Sequence, residues 1–142
     1  DYGANRLKLA LLRSAQKLSL DLHRVETYSL TSKEFQASGV PDGWGVHFYG
    51  ANSTSYTIFA DKNPGNDNIR DPNGTEDLIT LNFESGVKVS SAIIDVVFIP
   101  PDPDVIFNNN PALTSVSIVL TTESGSLTRT ITINKFGAIT VQ

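Results

Sequence analysis

Along the first part of the chain, apolar residues recur at helical spacing. Leu7, Leu11, Ala15, Leu18, Leu22 and Val25 stand at steps of 4, 4, 3, 4 and 3, the period of a helix with one buried side. At about 100° per residue these six share a stripe roughly 80° wide. The spacing predicts one helix from about Asn5 to Tyr28. The side-chain oxygen of Asn5 can take an orphan N–H at its start, and no Gly or Pro stands between Ala4 and Gly39. After Gly39 the period becomes two. Short runs rich in Val, Ile, Thr, Phe and Tyr alternate with Gly, Asn, Asp and Pro, as in an antiparallel sheet. The predicted strands are Gly45–Tyr49, Ser55–Ala60, Leu78–Phe83, Ala92–Ile99, Ser115–Thr122, Leu127–Asn134 and Ala138–Val141. Within Ser115–Thr122, Val116, Ile118 and Leu120 share one face. In the next strand Thr128, Thr130 and Thr132 oppose Leu127, Arg129, Ile131 and Ile133. Turns are predicted at Glu84–Ser85–Gly86, Glu123–Ser124–Gly125 and Asn134–Gly137.

Two stretches break the pattern. Asp61 to Asp77 (DKNPGNDNIRDPNGTED) is a polar loop of 17 residues, longer than most connections in a compact domain. Pro100, Pro101 and Pro103 cannot donate ladder hydrogen bonds, so they must end or offset the strand before them. One helix followed by a meander of strands is an α+β arrangement: an N-terminal α-helix packed on an antiparallel β-sheet, with room for two small sheets. Residues 1–30 supply the helix and residues 31–142 a β-rich unit, together one domain.

Composition narrows the function. The 142 residues are 39% hydrophobic and 18% charged, enough to bury a core. A net charge of −4 argues against a bulk nucleic-acid binder. The chain has no Cys, which removes disulfides, thiolate metal sites and Cys nucleophiles. Two His, His23 and His47, are too few for a three-His zinc site. No stretch approaches the roughly 18 apolar residues of a membrane span. A chain that begins at Asp1 and has no Met reads as a processed or trimmed product.

Candidate chemistry is sparse. The polar loop gathers oxygen ligands, and Asp61, Asn63, Asp67, Asp71 and Glu76 are the candidate metal ligands, suited to calcium. Asp61-x-Asn63 and Asp71-x-Asn73-Gly74 each begin like a calcium loop, but neither continues in EF-hand spacing; a solvated cluster of Asx turns is the other reading. Trp44, between Gly43 and Gly45, is either a sugar-stacking platform or a core anchor. His23 sits near the helix's end, where the dipole favours a cation. His47 is predicted to point outward, opposite Val46 and Phe48. Neither histidine has a carboxylate or Ser partner in a recognisable motif. Asp102 and Asp104 read as exposed acids in a Pro-rich turn. Asn52-Ser-Thr and Asn73-Gly-Thr match glycosylation acceptors. Arg6, Arg13, Lys17 and Arg24 fall within about 40° of one another on the helix. They are either a contact for phosphates or a solvated face with Lys17 and Arg24 paired to Asp21.

The helix exit AQKLSLDLHRVETYSL, then GVPDGWGVHFY, SYTIFADKN, DVVFIPPDPDV and the closing SLTRTITINKFGAITV occur in an order that resembles the type IV pilin-like superfamily, closest to the H-type minor pseudopilins and minor pilins. The resemblance spans essentially the whole chain. It lacks the disulfide-closed loop of many major pilins. The superfamily's leader cleavage site and apolar half-helix would lie before Asp1. What the resemblance implies is a structural subunit of a type IV pilus or type II secretion-like filament, not an enzyme. Such a subunit is held in the inner membrane until it polymerises into an extracellular or periplasmic filament with other pilin or pseudopilin subunits. Leu7, Leu11, Leu18, Leu22 and Val25 would dock the helix on its own sheet. Leu9, Leu12 and Leu20 point away from that stripe and would meet helices of neighbouring subunits; lying under the domain's own loops, or being merely exposed, is the alternative. Several pilin-like proteins hold calcium in a loop of this kind, so the resemblance adds to the calcium reading of Asp61–Asp77. The competing function is a β-rich surface adhesion or ligand-binding module, with its contacts at that loop and Trp44.

Overall fold

A computed structural model describes residues 2–62, 67–102 and 104–142. Among the described residues the chain forms one helix and nine strands. Helix α1 runs Tyr2–Leu30 and is followed by β1 (Gly43–Phe48), β2 (Ser55–Asp61), β3 (Asp77–Asn82), β4 (Val87–Val89), β5 (Ile94–Ile99), β6 (Asp104–Phe107), β7 (Ser115–Thr122), β8 (Thr128–Asn134) and β9 (Ile139–Val141). The strands make two antiparallel sheets, a larger one in the order β3-β2-β1-β5-β6 and a smaller one in the order β4-β7-β8-β9. The α+β class and the two sheets agree with the sequence pattern.

The helix is longer than the expected Asn5–Tyr28, by three residues at its start and two at its end. It packs on strands of both sheets. Leu11, Ala15, Leu18, Leu22 and Val25 are buried there, against a core that includes Trp44, Val46, Phe48, Tyr56, Phe98, Ile118 and Ile131. Leu7 is half-buried and leans on the turn between β3 and β4, where its Cδ2 lies so close to Gly86 that a Cβ there would come within 2.6 Å. The docking side also carries polar residues, each matched to the sheet. Ser14 Oγ accepts the Glu84 N–H at 3.1 Å, and Ser29 Oγ donates to the Phe98 carbonyl at 2.8 Å. The Tyr56 hydroxyl donates to Asp21. Burial and that hydrogen bond push the Tyr56 phenol well above its ordinary pKa.

Two strands were not visible in the sequence. β4 is only three residues and closes the edge beside β7. β6 follows the prolines: β5 ends at Ile99, as they demand, and the chain returns to pair Phe98 with Val105. The expected strand Ala92–Ile99 begins at Ile94, because residues 92 and 93 are exposed before pairing starts. The two sheets also meet at their edges. The Val89 N–H donates to the Ser53 carbonyl at 2.8 Å, and the Val105 N–H to the Lys135 carbonyl at 2.9 Å.

Candidate functional site

Opposite its buried stripe, α1 carries the first candidate surface. Leu9 is 51% exposed and Leu20 69% exposed, with Tyr2 also in solvent. By angular count Tyr2, Leu9 and Leu20 lie within about 20° of one another and nearly diametrically across from Leu18. Leu12 sits on the flank and is half-buried. Leu9 and Leu20 are thus not covered by the domain's own loops, which leaves a subunit contact and simple exposure as the two readings. The adjoining basic side chains are mostly paired within the domain. Arg13 grips Glu84 through two bonds of 2.8 Å, and Lys17 meets Asp21 at 2.9 Å, with Arg24 at 3.7 Å from the same carboxylate. Three of the four stripe cations, Arg13, Lys17 and Arg24, are thus paired within the domain.

The second candidate is the larger sheet's outer face, turned away from α1. Strand alternation puts Gly43, Gly45 and His47 of β1, Thr57, Phe59 and Asp61 of β2, and Asp95 and Val97 of β5 on it. The face is not bare. Phe59 and Val97 are fully buried yet stand apart from the main core. Gly45 makes this possible: it pairs directly with Phe59, whose ring occupies the space a Cβ would need. Over them lies the described part of the long loop, residues 67–76. Its Asn68 N–H donates to Asp61 Oδ2 at 3.1 Å, its Arg70 N–H to Asp95 Oδ1 at 3.1 Å, and its Asn68 side chain bonds Asn109. Arg70 closes a two-bond clamp on Asp77 at 2.8 Å.

A polar row crosses this face at right angles to the strands. Strand register aligns Thr80 with Thr57, Thr57 with His47, and His47 with Asp95. The hydroxyls of Thr80 and Thr57 lie 2.8 Å apart, and Tyr49 Oη meets Thr57 Oγ1 at 2.6 Å. His47 Nδ1 donates to Asp95 Oδ1 at 2.8 Å. The sequence showed no carboxylate partner for His47, because Asp95 is 48 residues away and only the β1–β5 register joins them. His47 does point to the face opposite Val46, as expected, but it is largely covered. The detectable signal was an acid at an outward position of a neighbouring strand. His23, which also has an acid close by, stands 3.8 Å from Glu26 and is exposed.

The loop acids behave mainly as backbone caps. Glu76 accepts the Lys62 and Asp71 N–H groups at 2.8 and 2.7 Å. Asp67 accepts from Ile69 and Asp71 from Asn73, the Asx turns that such a composition favours. Asn63 lies outside the described residues. Among the described residues no three His, Asp or Glu side chains come together as a metal-holding group. Asp61 differs from the rest. It is fully buried, and its Oδ1 has no hydrogen-bond partner. Burial and the charge of Glu76, with smaller pushes from Asp67 and Asp42, raise its carboxyl to about 7 against the pull of the Asn68 N–H.

Other candidates resolve simply. Trp44 is a core anchor: it is buried, donates to the Lys33 carbonyl at 3.0 Å, and meets Tyr28 and Phe35 edge to face. Asp102 and Asp104 are exposed, as are Asn52 and Asn73 of the two glycosylation motifs. No described helix is long and apolar enough to cross a membrane. The class defined by the coordinates is thus an α+β domain, one long helix laid over two antiparallel sheets. Compared with known proteins, the chain matches no family model, no curated protein and no solved structure to significance.

Proposed function

We propose that this chain is a non-enzymatic filament subunit of the type IV pilin-like kind, close to the H-type minor pseudopilins and minor pilins. It acts by polymerisation. Helix α1 is the outward half of a longer spine helix, and the part before Asp1 anchors the precursor in the inner membrane. After assembly, the sheets form the outer wall of an extracellular or periplasmic filament. The partners are other subunits of the same kind.

One observation carries this reading, the two-sidedness of α1. Its inner side is sealed by two sheets, while Leu9 and Leu20 stand 51% and 69% exposed on the far side. Isolated surface leucines are ordinary, but these two share a narrow stripe with Tyr2 on a helix of 29 residues. A helical stripe of that kind suits helix-on-helix packing. The adhesion-module reading has lost its aromatic platform, since Trp44 is inside the core.

The test uses the full-length protein in its own cells and the isolated domain in parallel. With Leu9→Glu and Leu20→Glu together, the domain is expected to melt at the wild-type temperature, while the subunit disappears from purified filaments. Normal incorporation of the doubly charged variant would refute the assignment. Cross-links between cysteines placed at 9 and 20 in neighbouring subunits give a second, independent reading.

A further inference from the structure

Where the first turns of α1 pass the turn between β7 and β8, there is a cavity of about 350 Å³. Arg6, Leu7, Thr122, Ser124, Ser126 and Leu127 line it, and its size is that of a small-ligand pocket. The turn supplies hydroxyls: Ser124 Oγ lies 2.9 Å from Ser126 Oγ and 3.4 Å from Thr122 Oγ1. Leu7 and Leu127 are its apolar part, one half-buried and the other 38% exposed. Arg6 supplies a cation. It is exposed and, among the described residues, meets no acid, unlike Arg13, Lys17 and Arg24 on the same side of the helix.

The charge around this end of the molecule is positive. Lys8 follows Arg6 on the helix and is exposed. Lys88 stands opposite Thr121 in β7, and Arg129 is the next residue after Thr128, which pairs with the same Thr121. Against these four bases the β7–β8 turn sets a single acid, Glu123. The Arg13–Glu84 pair nearby adds no net charge. The acids gather toward the other end, with Asp21 and Glu26 in the second half of α1 and Glu34 and Asp42 beyond it. Asp21 stands fifteen residues after Arg6, about 22 Å along the axis. That is more than two Debye lengths of about 8 Å at physiological ionic strength. This end therefore presents a positive field to an approaching surface, although the chain carries −4 overall.

We propose that this end of the domain docks on an anionic phospholipid surface, with one headgroup phosphate seated in the cavity. The Arg6 guanidinium takes the phosphate oxygens as a two-pronged donor, and the Ser124 and Ser126 hydroxyls add further donors. Leu7 and Leu127 meet the glycerol and the first methylenes beside it. Lys8, Lys88 and Arg129 lie over neighbouring headgroups, each contributing by its nearness to the negative surface. A lipid suits these residues better than a nucleic acid does. A phosphodiester chain calls for a track of free bases, and three of the four along the helix are engaged within the domain, whereas a headgroup needs one. A site for free phosphate, in turn, has no use for the apolar pair. The proposal does not rest on filament assembly, and its failure would leave the Leu9 and Leu20 test as it stands.

Co-sedimentation of the 142-residue chain with vesicles tests the proposal. One set of vesicles is phosphatidylcholine alone, and the other is phosphatidylcholine mixed with phosphatidylglycerol. Binding is expected to the mixed vesicles only, and to decline as salt is raised. Arg6→Ala, at an exposed position, is expected to weaken it about fivefold, and Arg6→Glu roughly 25-fold. Lys33→Ala, beyond the other end of α1, should leave it unchanged. Amide NMR shifts at Ser124, Ser126 and Leu127 on adding short-chain phosphatidylglycerol micelles place the contact, whatever the variants do. Equal binding to both vesicle types, or an unchanged affinity in Arg6→Glu, overturns the proposal. So do equal shifts of the same amides with glycerol 3-phosphate at matched phosphate concentration, which would make this a site for a soluble phosphate. Equal shifts with a double-stranded oligonucleotide would make it a nucleic-acid contact and overturn it likewise.

Discussion

Gly45→Ala tests whether the outer face of the larger sheet is a packed layer. A Cβ at this position would stand 2.7 Å from Phe59 Cζ, 2.9 Å from Phe59 Cε1 and 2.7 Å from the Val96 carbonyl oxygen. Carbon atoms sit comfortably at about 3.5–4.0 Å, so the ring must retreat by roughly 0.8 Å or more. It has nowhere to go, because Phe59 is fully buried beneath the loop. The carbonyl is harder still to move, since it belongs to the β1–β5 ladder. Overpacking of a filled site costs about 1–3 kcal/mol, and a backbone obstacle puts this case at the top, about 3 kcal/mol. For a domain of this size each kcal/mol lowers the melting temperature by about 3 °C, giving a fall of about 9 °C. Thermal unfolding followed by circular dichroism or calorimetry measures it. Adding Phe59→Ala to Gly45→Ala removes the ring but leaves the carbonyl and opens a cavity, so the double variant is expected to melt no higher. A single variant that melts within about 2 °C of wild type would show that the ring does not lie across the glycine.

Two further outcomes are expected. Leu18→Ala empties a fully buried site and should lower stability by about 3 kcal/mol in urea unfolding. Leu20→Ala, two residues on but 69% exposed, should change it by less than about 0.5 kcal/mol; similar losses at both positions would contradict the two-sided helix. At the turn between β3 and β4, the Arg13 guanidinium holds the Glu84 carboxyl below its ordinary pKa. The help this pair gives is therefore present above the usual carboxylate range and fades as pH falls through the lowered value. An NMR titration of Glu84 should show that lowered midpoint. Arg13→Ala or high salt should return it to the ordinary range, and no movement in either case would contradict the pairing.

Much of the fold was legible because its signals are local. The helix announces itself through leucines at steps of three and four, and Ser115–Thr122 through alternation that the coordinates place over the same eight residues. What escaped depends on neighbours distant in the chain. Val87–Val89 is too short to carry a period, and it is a strand because β7 is there to pair with it. Asp104–Phe107 was hidden behind prolines that correctly signalled an end but not a return. The outer face was the least readable part. An acid at the edge of a polar loop reads as solvated, and only the folding of that loop back over the sheet makes Asp61 a buried group. In the same way, Gly45 read only as the first residue of a strand, whereas its role is set by Phe59 on the partner strand. That Glu76, Asp67 and Asp71 of the candidate ligands accept nearby backbone N–H groups was likewise invisible before the loop was folded.

Ser29 and Arg13 fasten α1 at two well-separated levels, one to the Phe98 carbonyl in the larger sheet and one to Glu84 at the turn that leads into the smaller. Sixteen helical residues separate these two positions, about 24 Å along the axis. A pull on the helix along its length is therefore resisted in shear, with the leucine-lined interface and both anchors sharing the load. To peel the helix away sideways, by contrast, the anchors would have to break one after the other. The domain is built to carry tension lengthwise and is weakest against a force that lifts one end.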